Sequence, residues 1–225
     1  MQHTTGHVVA HSLEPLGIPC LELQPADPLS IAAGQFILGF IPLEATTARF
    51  RLFPVRISPD RIVFDHVPDA TWFPGRKIDI LGPIGNPFSP PAAARRWLML
   101  SLGGHPERLL PLLDAGATQS ASLAFWSDGP IPKLAPEVER PASPKDAVDW
   151  ADFIAIELDG PQWPETRGTI ARDHLHRVLA PVQVLIDVPT PCGLGGCQAC
   201  ALPGGKGYSL ACQVGLVRPF EELRD

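Results

Sequence analysis

The sequence predicts a β-barrel followed by a small α/β domain and a cysteine-rich C-terminal segment. Residues 6–81 form short extended segments separated by proline and glycine, whereas residues 96–188 alternate apolar runs with helical stretches. Four of the five cysteines lie between positions 192 and 212. A chain of 225 residues has room for two small domains with their own cores.

The N-terminal half predicts six strands, at residues 6–13, 19–23, 34–41, 47–57, 61–67 and 77–81. Several of these segments are β-branched or alternate apolar and polar residues, and no long stripe with a period of 3.6 residues runs through them. Six short strands at this spacing indicate a small closed antiparallel barrel, which we assign to residues 1–90.

The second half predicts parallel strands at residues 96–102, 121–126, 153–158 and 182–188, with helices at 106–115 and 169–179. The apolar run 96–102 is typical of a strand buried on both faces. Residues 129–145 are rich in proline and charge and predict an exposed loop. We expect the α/β domain to span residues 95–188, after a linker at 89–95, and a third segment to span 189–225.

The third segment carries Cys192, Cys197, Cys200 and Cys212 in the spacing C-x4-C-x2-C-x11-C. This is the plant-type spacing for a [2Fe–2S] cluster, in which four thiolates hold two irons. The loop also contains Gly193, Gly195 and Gly196, which suit it because a chain wrapped around a cluster needs positive φ angles and little side-chain bulk. We expect the fifth cysteine, Cys20, to be a buried thiol on a strand.

Two other readings of the four cysteines remain open. A structural zinc site would use the same ligands, although such sites usually show two C-x2-C pairs and this chain has one. Two disulfides would require an oxidising compartment, for which the N-terminus carries no signal.

The composition excludes two classes of partner. The net charge is −6 at pH 7 and the Lys and Arg residues are scattered, so no basic stripe for nucleic acid is present. No run of 18 apolar residues occurs, so we expect no membrane span. We therefore expect a soluble cytoplasmic protein.

The order of these segments and three motifs resemble the iron–sulfur electron-transfer subunit of class-B dihydroorotate dehydrogenase, a ferredoxin-reductase-like family. The motifs are the cysteine loop with the trailing Gly215, the tripeptide Gly34-Gln35-Phe36, and residues 78–88. The resemblance implies a ferredoxin-reductase-like two-domain fold with a C-terminal [2Fe–2S] loop. It also implies FAD between barrel and α/β domain, and a partner subunit, a catalytic flavoprotein dehydrogenase, in a hetero-oligomer.

The flavin motifs of that family are only partly present. Phe53, Pro54, Val55 and Arg56 stand where the family has Arg-Pro-x-Ser, so only the proline is kept. The family's second flavin turn, Gly-x-Gly-Thr, is Pro68-Asp69-Ala70-Thr71 here, so Ala70 replaces a glycine and Thr71 is kept. Nearby arginines at positions 49, 51 and 56 could still reach a pyrophosphate. These equivalents leave FAD binding open.

The nicotinamide motifs diverge further. The family's Gly-Gly-x-Gly turn has Pro106 in place of its third glycine, and Glu107 follows in the first turn of the helix, where its charge would compete with a phosphate. The family's Cys-Gly-Pro turn is absent after the strand that ends near Asp159. We expect an α/β scaffold that does not bind NAD.

The residues that carry chemistry therefore predict an electron-transfer subunit rather than a self-sufficient enzyme. The sequence shows no Ser/His/Asp or Cys/His constellation. The alternatives are a flavin-free iron–sulfur adaptor of another oxidoreductase complex, or a redox-sensing subunit whose cluster alters an interaction.

Overall fold

The computed structural model describes residues 2–13, 17, 19–42, 49–160, 180–204 and 207–223. These residues form a seven-stranded sheet, a five-stranded sheet and a two-stranded hairpin. No helix among them is long and apolar enough to cross a membrane.

The seven-stranded sheet is an antiparallel barrel. Its strands are β1 (Gln2–Ser12), β2 (Cys20–Pro25), β3 (Phe36–Phe40), β4 (Phe50–Leu52), β5 (Pro54–Ile57), β6 (Ile62–Phe64) and β7 (Lys77–Ile84). They lie in the order β4-β3-β7-β1-β2-β6-β5. Because β4 and β5 follow each other in the chain but stand at opposite edges, the sheet curls until its edges nearly meet. Apolar side chains such as Leu21, Trp72 and Ile80 fill its interior.

The strand predicted at 47–57 is two strands that meet at Phe53. The Phe53 N–H donates to the Asp65 carboxylate at 3.1 Å, and the Asp65 N–H donates to the Phe53 carbonyl at 2.9 Å. Pro54 has no N–H to continue a ladder. The chain therefore turns a corner there and passes from one edge of the barrel to the other.

The five-stranded sheet forms the α/β domain. It contains β8 (Arg96–Ser101), β9 (Ser122–Ser127), β10 (Phe153–Asp159) and β11 (Val182–Asp187), and these four strands are parallel. A 3₁₀ turn, Pro106–Leu109, runs directly into helix α1 (Leu110–Thr118), and α2 (Lys145–Val148) precedes β10. The helix predicted at 169–179 lies outside the described residues.

The cysteine loop begins where β11 ends. It is followed by the hairpin β12 (Ala201–Gly204) and β13 (Gly207–Leu210), by α3 (Ala211–Val214), by β14 (Val217–Pro219) and by a 3₁₀ turn, Phe220–Leu223. Strand β14 pairs antiparallel with β11, giving the sheet order β14-β11-β10-β8-β9. The cysteines thus lie between two neighbouring strands of one sheet, so both ends of the loop are fixed.

Two glycines allow the barrel to pack closely against the C-terminal cysteine segment. Gly215 has φ +94°, and a Cβ there would lie 2.4 Å from the Asn86 backbone nitrogen. A Cβ on Gly85 would lie 2.9 Å from the Gly215 Cα. Gln35 donates to the Gly85 carbonyl at 2.7 Å, and the Asn86 side chain donates to the Val214 carbonyl at 2.8 Å. The three motifs that carry the family resemblance therefore meet at one place, the contact between barrel and cysteine segment.

Candidate metal centre and domain junction

The four clustered cysteines form two pairs of thiols. The Sγ atoms of Cys192 and Cys197 lie 3.2 Å apart, and those of Cys200 and Cys212 also lie 3.2 Å apart. All four are free thiols, as is Cys20, which is buried in the barrel. The structure thus places the four predicted ligands in two close pairs and places the fifth cysteine in the barrel.

Backbone amides of the loop point at the sulfur atoms. The Leu194 N–H donates to Cys192 Sγ at 3.4 Å, and together with the amides of Cys197 and Gly196 it lowers the pKa of Cys192 to about 6. Burial raises the pKa of Cys212 to about 11, with the neighbouring Cys200 adding to the effect and the Gly195 amide opposing it. Amides aimed at sulfur stabilise negative charge, which bound thiolates and sulfides carry.

The two pairs differ in exposure. Cys200 and Cys212 are buried, whereas Cys192 is partly exposed and Cys197 is exposed. Leu194, between the two outer cysteines, has an exposed fraction of 56%. A metal held by the outer pair would therefore lie at the surface, and one held by the inner pair beneath it.

Contacts from the barrel hold the loop in place. The Arg49 guanidinium donates to the Cys192 carbonyl at 2.7 Å. Gly193 has φ +65°, and a Cβ there would lie 2.3 Å from Leu38 Cδ1. Gly195 has φ +79°, whereas a Cβ on Gly196 would meet nothing within 4 Å. Two of the three predicted loop glycines are thus required by backbone conformation or contact, and the third is not.

The two thiol pairs can be compared with the ligand sets of a zinc ion and of a two-iron cluster. In the part of the chain that the structure describes, no three His, Cys, Asp or Glu side chains surround one point that could hold a metal ion. A zinc ion needs four ligands around one centre. In a [2Fe–2S] cluster the four thiolates are divided between two irons, so two pairs are the arrangement expected.

The six flavin-site equivalents divide between buried and exposed positions. Phe53, Pro54 and Val55 are buried, while Arg56 is exposed on the edge strand β5. Ala70 and Thr71 are exposed in a turn, where the Thr71 N–H donates to the Asp69 carboxylate at 2.8 Å. Helix α1 and the preceding 3₁₀ turn pack against β5. Three of the six equivalents are thus buried, and the other three lie at the surface.

A buried network of charges fills the space between barrel and α/β domain. Arg108, which is 6% exposed, contacts Asp65 at 3.3 Å and Asp187. Arg51 contacts the other oxygen of Asp187 and donates to the Val188 carbonyl. Both guanidinium groups lie over the Phe53 ring, with Cζ 4.3 Å (Arg108) and 5.2 Å (Arg51) from its centroid. The network therefore joins one strand and one loop of the barrel to the α/β domain.

Opposite charges keep this network ionised. Burial favours neutral carboxyls, but the hydrogen bond from His66 and the charge of Arg108 outweigh it and hold the pKa of Asp65 below its ordinary value. Burial likewise opposes the charge on Asp187, yet Arg108 and Arg51 lower the pKa of that carboxyl. Each charged group of this network therefore has a partner of opposite charge, as buried charges require.

The glycine turn after β8 is occupied by a carboxylate. Glu157, fully buried on β10, accepts from the Ser101 hydroxyl at 2.8 Å and from the backbone N–H groups of Gly103 and His105 at 3.3 Å each. We expected Glu107 to occupy this anion position, but Glu107 is buried and contacts the His105 ring at 3.1 Å. The turn is filled by a different carboxylate, delivered by the neighbouring strand.

Sequence reasoning missed Arg108, Glu157, Asp65 and Asp187 as a group. A signal was present for two of them, because Glu157 and Asp187 interrupt or end apolar runs that predict buried strands. Asp65 and Arg108 come from a loop and a helical turn far apart in the chain, and only the fold brings them together.

No protein-family model and no curated protein matches this sequence. Among solved structures, the chain is similar to one from the NADH-dependent reduced ferredoxin-NADP oxidoreductase, with a TM-score of 0.61 and 18% identity over 96% of this chain and 88% of that one. It is similar to phthalate dioxygenase reductase, a modular protein for electron transfer from pyridine nucleotides to [2Fe–2S], with a TM-score of 0.55 and 14% identity over 96% and 95%. It is also similar to a flavohemoglobin from Malassezia yamatoensis with bound FAD and heme, with a TM-score of 0.55 and 13% identity over 81% and 60%. These likenesses show a ferredoxin-reductase-like fold, as the sequence predicted.

Proposed function

We propose that this protein is a [2Fe–2S] electron-transfer protein that relays single electrons to or from a partner redox enzyme. The observation that carries the proposal is the arrangement of four thiols in two pairs, with three thiols on one loop whose amides point at sulfur and the fourth on α3. Four thiolates in two pairs are the donor set of such a cluster. The fold, shared with an electron-transfer reductase that itself contains [2Fe–2S], supports the proposal.

Each part of the loop has a role in this function. Cys192, Cys197, Cys200 and Cys212 would hold the [2Fe–2S] cluster, which would supply one-electron chemistry. The loop amides stabilise the charge on the sulfurs, and burial of Cys200 and Cys212 keeps water from the inner side. The exposed Cys197 and Leu194 form the face at which a partner can approach.

The partner must perform the two-electron chemistry, because one cluster accepts or donates a single electron. We propose a catalytic flavoprotein dehydrogenase as that partner, in a hetero-oligomer, similar to the class-B dihydroorotate dehydrogenase that the cysteine loop and Gly215 resemble. We propose that the protein is located in the cytoplasm, because free thiols and a labile cluster suit a reducing environment. It assigns residues 189–225 as the cluster segment.

Metal analysis of anaerobically purified protein tests the cluster. We expect two irons and two acid-labile sulfides per chain, and a red-brown colour. Cys197→Ala should lose most of the iron and the visible absorption, whereas Cys20→Ala, which removes the buried barrel thiol, should retain both. Stoichiometric zinc without iron, or equal iron in the two variants, would contradict the proposal.

The partner is tested by reconstitution with a class-B dihydroorotate dehydrogenase catalytic subunit. Dihydroorotate should bleach the visible absorption of the holoprotein only when that subunit is present. No bleaching, with the catalytic subunit active towards an artificial acceptor, would reject this partner and leave a relay or redox-sensing subunit of another oxidoreductase.

A further inference from the structure

The side chains that fill the domain junction have a consequence for how electrons can enter the protein. The family resemblance implies FAD at this junction, and a solved structure with this fold holds FAD. In this chain the same region contains two arginines, two aspartates and a phenylalanine that contact one another. The residues present do not fit the cofactor that the fold implies.

We infer that this chain has replaced both dinucleotide sites of its fold with its own charged side chains, so that it binds neither FAD nor NAD and exchanges electrons only through the cysteine-bound cluster. The inference rests on the proposed function for the cluster. It rests on two separate regions of the structure, the barrel–α/β junction and the glycine turn.

At the junction, the charges are already balanced. A flavin dinucleotide brings a diphosphate, which is usually held by arginine. Here the positive charges of Arg51 and Arg108 are matched by the carboxylates of Asp65 and Asp187, and Arg49 is engaged by the Cys192 carbonyl. Binding a diphosphate would require breaking buried ion pairs, which leaves uncompensated buried charge.

The aromatic surface at the junction is also covered. Phe53 is 1% exposed, and the guanidinium of Arg108 lies 4.3 Å from its centroid. Phe36 contacts the same ring at 5.7 Å between centroids. The Phe53 ring is therefore covered by a cation–π contact and a ring–ring contact. Helix α1 packs against β5 on the same side of the junction. A flavin ring stacking on Phe53 would have to displace the Arg108 guanidinium and the Phe36 ring.

At the glycine turn, the amides that a nucleotide phosphate would use are occupied. Backbone N–H groups at a turn between a parallel strand and a helix form an anion site. Those of Gly103 and His105 donate to the Glu157 carboxyl group, which occupies the position that a phosphate would need. A Cβ on Gly103 would lie 2.5 Å from Glu157 Oε1, so the glycine admits the carboxylate rather than a ligand.

The functional consequence is that the protein cannot take a hydride. A hydride carries two electrons, and a flavin is what divides such a pair into single electrons for a cluster. Without FAD or NAD, electrons must arrive one at a time from the partner's redox centre. The protein is then a relay whose two-electron chemistry belongs wholly to that partner.

Two measurements on the purified holoprotein test this inference. In the first, FAD and FMN are titrated to about 100 μM while flavin fluorescence and the melting temperature are followed. We expect no saturable quenching and no rise in melting temperature. Saturable FAD binding with a Kd below about 10 μM would overturn the inference.

In the second, NADH or NADPH is added anaerobically to the holoprotein alone, and dithionite is added afterwards. We expect the visible absorption to be unchanged by the nucleotides and bleached by dithionite. Bleaching by either nucleotide would overturn the inference.

Different results would contradict the proposed cluster and the inferred absence of dinucleotide binding. Protein without iron would contradict the cluster, while the flavin titration on the same sample would still test the junction. Protein with two irons and stoichiometric FAD after acid release would keep the cluster and reject the closed junction.

Discussion

Arg108 is the residue on which the contact between barrel and α/β domain most depends. It is 6% exposed, pairs with Asp65 from the barrel and Asp187 from the α/β sheet, and covers Phe53. Its neighbours hold its pKa above the ordinary arginine value, since the charges of Asp65 and Asp187 outweigh the effect of burial. Removing this one side chain takes an ion-pair partner from each of two buried carboxylates.

We therefore predict that Arg108→Met destabilises the protein by about 3–5 kcal/mol, because breaking a buried ion pair strands its partners. Urea unfolding followed by circular dichroism measures this. Arg61→Met is the control, because Arg61 makes a surface pair with Glu22 at 3.2 Å and is 48% exposed, so the change should cost about 0–1 kcal/mol. Equal losses in the two variants would contradict the role of the network.

Glu157 differs from Arg108, because ionisation of the buried Glu157 carboxyl destabilises the folded protein. Burial raises the pKa of Glu157, with the Ser101 hydroxyl and the Arg108 charge only partly offsetting it. A carboxyl whose pKa is higher in the folded state than in the unfolded state stabilises the protein in acid and loses that contribution as the pH rises through its folded value.

Glu157→Gln should remove this pH dependence. We expect the stability of the variant relative to wild type to improve as the pH rises above the ordinary glutamate pKa, because only the wild type loses stability as this carboxyl ionises. Urea midpoints at several pH values test this, and a difference between the proteins that does not change with pH would refute it.

At the scale of an element, the cysteine loop is shaped by where its glycines stand. Gly193 combines φ +65° with a contact to the buried Leu38 of the barrel, whereas Gly196 has neither constraint. A non-glycine residue in the left-handed region costs about 1–2 kcal/mol before any clash is counted. The loop conformation that aims its amides at sulfur thus depends on Gly193 and tolerates change at Gly196.

Gly193→Ala should retain several-fold less cluster than wild type, while Gly196→Ala should retain as much as wild type. Iron per chain after purification under identical conditions measures the difference. Since both variants keep the backbone amides, equal retention would show that the loop can shift without loss of the site.

Over the whole molecule, barrel, α/β sheet and cluster segment are joined by contacts that cross between them. The barrel reaches the loop through Arg49, through Leu38 against Gly193, and through the packing of Gly85 on Gly215. The α/β sheet holds both ends of the loop through β11 and β14. We therefore expect retention of the proposed cluster to depend on the whole folded molecule.

Arg49→Ala tests this dependence. A hydrogen bond from a charged donor contributes about 1.5–3 kcal/mol, so its loss should speed removal of iron by a chelator roughly ten-fold or more. The rate is followed by the decay of visible absorption, with Arg61→Ala as the control for loss of a surface charge. An unchanged rate in the Arg49 variant would mean that the barrel does not hold the loop.

The amino-acid sequence was sufficient to predict the barrel, the parallel strands and the set of clustered cysteines. Each of these depends on local information: turn residues between short strands, the continuous apolar run at 96–102, and the spacing of Cys192, Cys197, Cys200 and Cys212. The strand predicted at 47–57 was wrong in one respect, since an Asp65 contact divides it at Phe53.

The pairing of the thiols, the need for particular glycines and the side chains at the domain junction became visible in the folded chain alone. Asp65, Arg108, Glu157 and Asp187 lie far apart in the chain, and three different elements and a loop bring their charges together. Buried charges need partners, and the fold supplies them from remote positions that no local pattern connects. For the same reason, motif comparison left FAD binding open, while the contacts of the folded chain carry the proposal of a closed junction.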